Sequence, residues 1–132
     1  MKAIDTNVLI RFLVGDDKKQ AKKIYDIFKQ AEDNKEQFWV PLPVILEMIW
    51  VLESVYDIPR QEIIDSVKEL LLMPILKFES LSALQNFVES SQKSTFDLPD
   101  ILIAHSAKLH GCENVLTFDK KASEFKLFKL IE

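Results

Sequence analysis

Apolar residues fall in two alternating rhythms, short uninterrupted runs and longer stretches that recur every three or four positions. Residues 2–4 make a short strand-like start, after which Val8, Leu9, Phe12 and Leu13 recur at helical spacing, with Asn7 available as a cap. Over residues 18–31, Ala21, Ile24, Tyr25, Phe28 and Ala31 form one stripe with lysines and acids outside it, the mark of an amphipathic surface helix. Residues 38–40 read as a buried strand. From Pro43 onward, Val44, Ile45, Met48, Ile49, Val51, Leu52 and Val55 leave a helix apolar almost all round, which predicts a central position.

Prolines punctuate the middle of the chain. Pro59 opens a helix whose apolar side is Ile63, Ile64, Val67, Leu70 and Leu71, and Pro74 stops it. Residues 75–78 are a strand, Leu81, Leu84, Phe87 and Val88 mark another helix, and SSQKST is a polar break. The remainder predicts a helix over about 98–109, Gly111 as its left-handed cap, a strand at NVLTF, a short helical turn and a last strand at LFKLI. No repeat of fixed period appears.

Short apolar strands separated by helices need crossover connections, hence a parallel sheet with both faces covered. The prediction is α/β: a three-layer α/β/α sandwich around a central parallel sheet of four or five short strands, in a single domain over residues 1–132. Ligands in such sheets gather beyond the carboxyl ends of the strands, and Asp5 and Asp119 should both project from that edge.

Composition narrows the class. A hydrophobic fraction of 48% with 29% charged residues and only two glycines fits an ordinary globular protein without linkers. Cys112, the single cysteine, cannot form an internal disulfide and reads as a small residue at a helix end. Asp5, Asn7 and Arg11 interrupt the apolar start, so no signal peptide is expected. FWVPLPVILEMIWVL is shorter than the ~20 residues a bilayer requires. A cytoplasmic location without membrane contact is expected. The net charge of −4 offers a polyanion no global attraction. Two lysine groups, Lys18, Lys19, Lys22, Lys23 and Lys120, Lys121, Lys126, Lys129, are either solvated helix faces or local phosphate contacts.

Four acids interrupt or follow apolar stretches: Asp5, Glu47, Asp100 and Asp119. A carboxylate placed against a core is costly unless a cation or hydrogen-bond donor meets it, and these spacings are too wide for a local ion-pair network. Convergence on a divalent cation is the economical reading, with a partly exposed rim position as the alternative for Glu47. Asp97 and Asp100 bracket a helix start. Asp97 suits the cap, while the pair at i, i+3 spacing is also able to share a metal. Oxygen ligands without His or Cys at ligand spacing indicate Mg²⁺ or Mn²⁺ over Zn²⁺. His105 and His110 read as surface or packing residues. One such ion, or two about 3.5–4 Å apart, would activate water and polarise a phosphoryl oxygen, so the chemistry expected is hydrolysis of phosphodiesters.

MKAIDTNVLIRFL, VPLPVILEMIWVL and FDLPDILIAHSAKLHGCENVLTFDKKA together resemble the PIN-domain family, and within it the VapC-type toxin ribonucleases, over essentially the whole chain. The resemblance implies that Asp5, Glu47, Asp100 and Asp119 are the acidic quartet binding Mg²⁺ or Mn²⁺, with Asp97 as an accessory acid and Asn7 and Thr117 supporting the carboxylates. It further implies an RNA substrate, homodimerisation and a small antitoxin that inserts a side chain into the acidic pocket. Pro99 departs from relatives that carry small helix-favouring residues before the third acid, which bears on Asp97.

Rival readings leave recognisable traces. A haloacid-dehalogenase-like phosphatase needs a second Asp two positions after the first, where this chain has Asn7, and a receiver domain needs a strand-ending Asp mid-chain. A PIN domain that binds RNA or protein without cutting is the alternative from another class. Trp39, Trp50 and Tyr56 are expected in the core rather than at an interface.

Overall fold

A computed structural model describes all residues, 1–132. Six α-helices alternate with five short strands, and every strand pairing is parallel. The α/β class read from the sequence is the one the chain adopts. Its strands hydrogen-bond in two ladders, of three and two strands, instead of one continuous sheet. The chain divides correspondingly into two compact units, Met1–Glu79 and Ser80–Glu132.

The first unit runs β1 (Lys2–Ala3), α1 (Thr6–Val14), α2 (Lys18–Asp33), β2 (Phe38–Val40), α3 (Leu42–Ser54), α4 (Arg60–Leu71) and β3 (Leu76–Phe78), with strand order β1-β2-β3. Phe38 pairs with Lys2 on one side and Leu76 on the other. Parallel neighbours force each connection back across the sheet, and here helix pairs do it. The core is where the helical stripes meet: Leu9 and Ile10 of α1, Ile45, Met48 and Ile49 of α3, and Ile63, Ile64 and Val67 of α4 are all essentially inaccessible. No N-cap side chain serves the first turn of α3, because Pro41 stands at the cap. Glu79, just beyond β3, supplies the missing acceptor, its Oε1 taking the Leu42 N–H at 2.8 Å.

Two expectations change here. The helix α3 is not apolar all round in space: Pro43, Glu47, Trp50, Ser54 and Val55 face solvent, with Trp50 55% and Val55 65% exposed. Trp39 and Tyr56 are half-buried. The aromatic residues expected in the core therefore lie at or near the surface, because three helical turns of apolar sequence are more than one packing face absorbs.

The second unit runs α5 (Leu81–Gln92), α6 (Leu98–Leu109), β4 (Val115–Thr117), a 3-10 turn (Ala122–Glu124) and β5 (Phe128–Leu130). Ala83, Leu84, Phe87 and Val88 of α5 and Leu98, Ile101, Leu102 and Ala104 of α6 are buried, and the two helices pack on each other. Gly111, at φ +85°, takes the left-handed position after α6 that an L side chain adopts only with strain. No helix in the chain is long and apolar enough to cross a membrane.

His105 is one of two buried polar residues of this unit, with Ser91; it is 7% exposed, with Nε2 2.6 Å from Ser90 Oγ on α5 and its ring edge-on to Phe125. Nδ1 is buried without a partner. His110, by contrast, is exposed and its Nδ1 lies 3.0 Å from the Ser106 carbonyl. Burial holds the His105 imidazole below its ordinary pKa, Lys108 and Lys126 push the same way, and Glu89 opposes them. The fold thus favours neutral His105. That contribution is complete above the unfolded value of about 6.5 and is lost as pH falls toward the depressed folded value. Urea midpoints should decline between neutral pH and mildly acidic pH, and His105→Gln should flatten that decline. An identical slope in the variant removes His105 as its source.

Candidate active site

Asp5 follows β1 and is the N-cap of α1. Its Oδ1 accepts the Thr6 N–H at 2.7 Å, so a carboxylate sits on the positive end of the helix. Asn7, available in the sequence as the cap, lies exposed inside the first turn instead. Glu47 lies near the middle of α3, which starts at the carboxyl end of β2, the neighbour of β1. Both acids of the first unit are exposed. Trp50, one turn along α3 from Glu47, also faces water.

The second unit places Asp97, Asp100 and Asp119 within electrostatic reach. Asp97 is the N-cap of α6, its Oδ1 accepting the Asp100 N–H at 3.2 Å, and Pro99 occupies an early helical position without disturbing the cap. Asp119 follows β4, where Thr117 Oγ1 accepts the Asp119 N–H at 3.0 Å. Asp119 Oδ1 accepts the N–H groups of Lys121 and Ala122 at 2.9 and 3.1 Å, which leaves Oδ2 as the less committed oxygen.

Asp100 is the one acid of the four that is half-buried, while Asp5, Glu47 and Asp119 are exposed. Burial is the main cause raising its pKa above the usual carboxylate value, followed by the negative charges of Asp97 and then Asp119. Among the four, Asp100 is thus the acid partly withdrawn from water. No group of three or more His, Cys, Asp or Glu side chains stands arranged to hold a metal ion. The oxygens nevertheless suit one in kind: around Asp100 the donors are carboxylates, and a cation there would offset the repulsion that raises its pKa.

A raised carboxyl pKa means that the fold prefers the protonated acid. Asp100 contributes stability below its unfolded value of about 3.8, and this is lost as pH rises through the folded value. Asp100→Asn should accordingly raise the melting temperature of metal-free protein at pH 7. The gain should disappear below the ordinary carboxylate range, where both proteins are neutral at this position. Equal melting temperatures at pH 7 would mean that the charge carries no penalty.

The family model for the PIN domain matches residues 2–127, running through both units and all the acids described. The chain belongs to the PIN-domain family. Over 121 residues, 92% of this chain and 89% of the relative, this PIN domain is 28% identical to a VapC ribonuclease of Aquifex aeolicus (strain VF5).

Two sets of polar contacts in the first unit were not foreseen from the sequence. Glu79 caps α3, the helix that carries Glu47, and its only sequence signal is an acid directly after the strand LKF. Arg11 and Tyr56, 45 positions apart, meet in a polar cluster with Asp16 and Gln20. The lysine groups of this PIN domain are exposed, and Lys22 already pairs with Asp26 at 3.2 Å, a surface contact worth ~0.3–0.5 kcal/mol.

Proposed function

We propose that this PIN domain is an endoribonuclease dependent on Mg²⁺ or Mn²⁺, and the toxin of a VapBC-type pair. Asp5, Glu47, Asp100 and Asp119 are its metal-binding and catalytic carboxylates, with Asp97 accessory and Asn7 and Thr117 in support. The match to the PIN family over residues 2–127 carries the reading. The likeness to a VapC ribonuclease across nearly the full length of both chains gives it its substrate class. RNA is the substrate, a small antitoxin the inhibitor, and a homodimer the working form.

When bound, the ion supplies a nucleophilic water near neutral pH and offsets charge on the phosphoryl oxygens. The chain's own residues do the positioning. Asp5 is held by the Thr6 amide, and Asp119 by Thr117 Oγ1 and two backbone amides of the following turn. Asp97 is tied to the start of α6, so its contribution to Asp100 is a nearby fixed charge that opposes ionisation until a cation arrives. Support of this kind spends no energy on reorganisation at the moment of reaction.

The exposure of Asp5, Glu47 and Asp119, which meets no desolvation cost without a cation, favours a second reading, a PIN domain that binds RNA or a protein without cutting. One experiment separates them. Purified protein is incubated with total cellular RNA plus Mg²⁺ or plus EDTA, and new RNA ends are mapped. Cleavage at defined positions in Mg²⁺ and none in EDTA is expected. Retention of RNA without new ends in either condition would establish the binding module instead.

A further inference from the structure

Arg11 sits in the last turn of α1, at the end opposite Asp5. Its Nε donates to Gln20 Oε1 at 2.8 Å, and its Nη1 donates to Tyr56 Oη at 3.0 Å and lies 3.4 Å from Asp16 Oδ1. Tyr56 Oη in turn donates to Asp16 Oδ2 at 3.0 Å. One guanidinium thereby ties the end of α1 to the start of α2 and to the segment just after α3. The Arg11 side chain is 28% exposed and its bond to Tyr56 is partly buried, while the bonds to Gln20 and Asp16 lie at the surface.

Both α1 and α3 leave from the carboxyl edges of adjacent parallel strands, and they pack on each other through an apolar seam. Asp5 lies at the near end of α1 and Glu47 one to two turns into α3; the cluster binds their far ends. Asp5 and Arg11 are six residues apart, about 9 Å along a helix axis, so a rigid helix transmits rotation at one end to the other. Apolar contacts carry no direction of their own. A planar guanidinium with several partners adds directional constraints to the packed seam.

We propose that Arg11, Tyr56, Asp16 and Gln20 form a latch that sets the placement of α1 against α3, making Arg11 and Tyr56 positioning residues for the carboxylates of Asp5 and Glu47. The latch acts on the metal-dependent site proposed above and rests on that reading. Its consequence is that loss of the latch weakens ion binding and lowers kcat, while a purely positioning role leaves KM for RNA unchanged.

The test compares wild type, Tyr56→Phe and Arg11→Lys with Ile63→Val, which removes one methyl group at a fully buried position of α4, a helix that supplies no latch residue. Free Mn²⁺ is followed by electron paramagnetic resonance to give its dissociation constant, cleavage of a model RNA gives kcat and KM, and urea melts give stability. Tyr56→Phe and Arg11→Lys are expected to weaken Mn²⁺ binding by roughly tenfold and to lower kcat at unchanged KM. Ile63→Val should match wild type in both. Latch variants with wild-type Mn²⁺ affinity overturn the proposal, as does an equal loss in Ile63→Val, which would reduce the effect to general stability. A wild-type protein that binds no Mn²⁺ and cuts no RNA overturns the metal-dependent reading itself, and the latch proposal with it.

Discussion

Asp100→Asn and Asp5→Asn are each expected to lower RNA cleavage by on the order of 10²–10³-fold or more, because losing a ligand removes several kcal/mol of charge stabilisation and every ~1.4 kcal/mol is tenfold in rate. The two variants should fail for the same chemical reason yet behave differently as folded proteins. Asp5 caps α1 through Oδ1, and Asn retains a side-chain oxygen that accepts the Thr6 amide, so the cap survives. Asp100 carries a penalty at neutral pH, from burial first and then from Asp97 and Asp119, so its amide should fold at least as well as wild type. Activity lost with stability kept or gained is the signature of a site residue. Initial rates on a labelled RNA, beside melting curves, check both halves of the expectation. Full cleavage by either variant contradicts its assignment.

The second large effect is on stability. Phe87 is fully buried in α5, among Ala83, Leu84 and Val88 on the face that packs against α6. Truncation to Ala removes transfer energy and leaves a cavity that the helix pair cannot fill by collapse, and such changes cost about 3–5 kcal/mol. Against a total of about 5–15 kcal/mol for a typical domain, that is a large share. Phe87→Ala should lower the melting temperature by roughly 10 °C or more, or leave part of the protein unfolded at 37 °C. Ile103→Ala, at a position 42% exposed on α6, is the matched comparison and should change stability by far less. Similar melts for the two would mean that the α5–α6 seam is not where the core of the second unit lies.

Much of the fold was legible because local signals agreed with one another. Pro59 and Pro74 bracket α4, Gly111 adopts the left-handed conformation expected after α6, and Asp97 caps that helix as its position before Leu98 suggested. Hydrogen-bond partnership between strands is different. Strands of two or three residues carry almost no register information, so sequence indicated parallel pairing but not the division into β1-β2-β3 and β4-β5.

The candidate site could be read from the sequence in residue type but not in environment. An acid beside apolar sequence looked costly at four positions, yet only Asp100 is half-buried, and Glu47 shares an exposed face with Trp50. Chain adjacency to apolar residues is not burial when a helix turns its side chains through about 100° per residue. Asp5 displaced Asn7 as the cap of α1 because helical geometry begins at Thr6, earlier than the apolar spacing suggested. The contact of Arg11 with Tyr56 left no trace at all, since a pairing across 45 residues depends on how α1 and α3 pack.

The central claim is that Asp5, Glu47, Asp100 and Asp119 serve as ligands of one metal centre. Mn²⁺ binding to wild type and to Asp5→Asn, Glu47→Gln, Asp100→Asn and Asp119→Asn, each confirmed as folded, tests it most directly. Binding by wild type is predicted to be weakened at least about tenfold in every variant, as large as the loss when even an outer-shell partner of a metal site is removed. Wild-type affinity in any folded variant would contradict that residue's assignment, and no specific binding by the wild type would contradict the account as a whole.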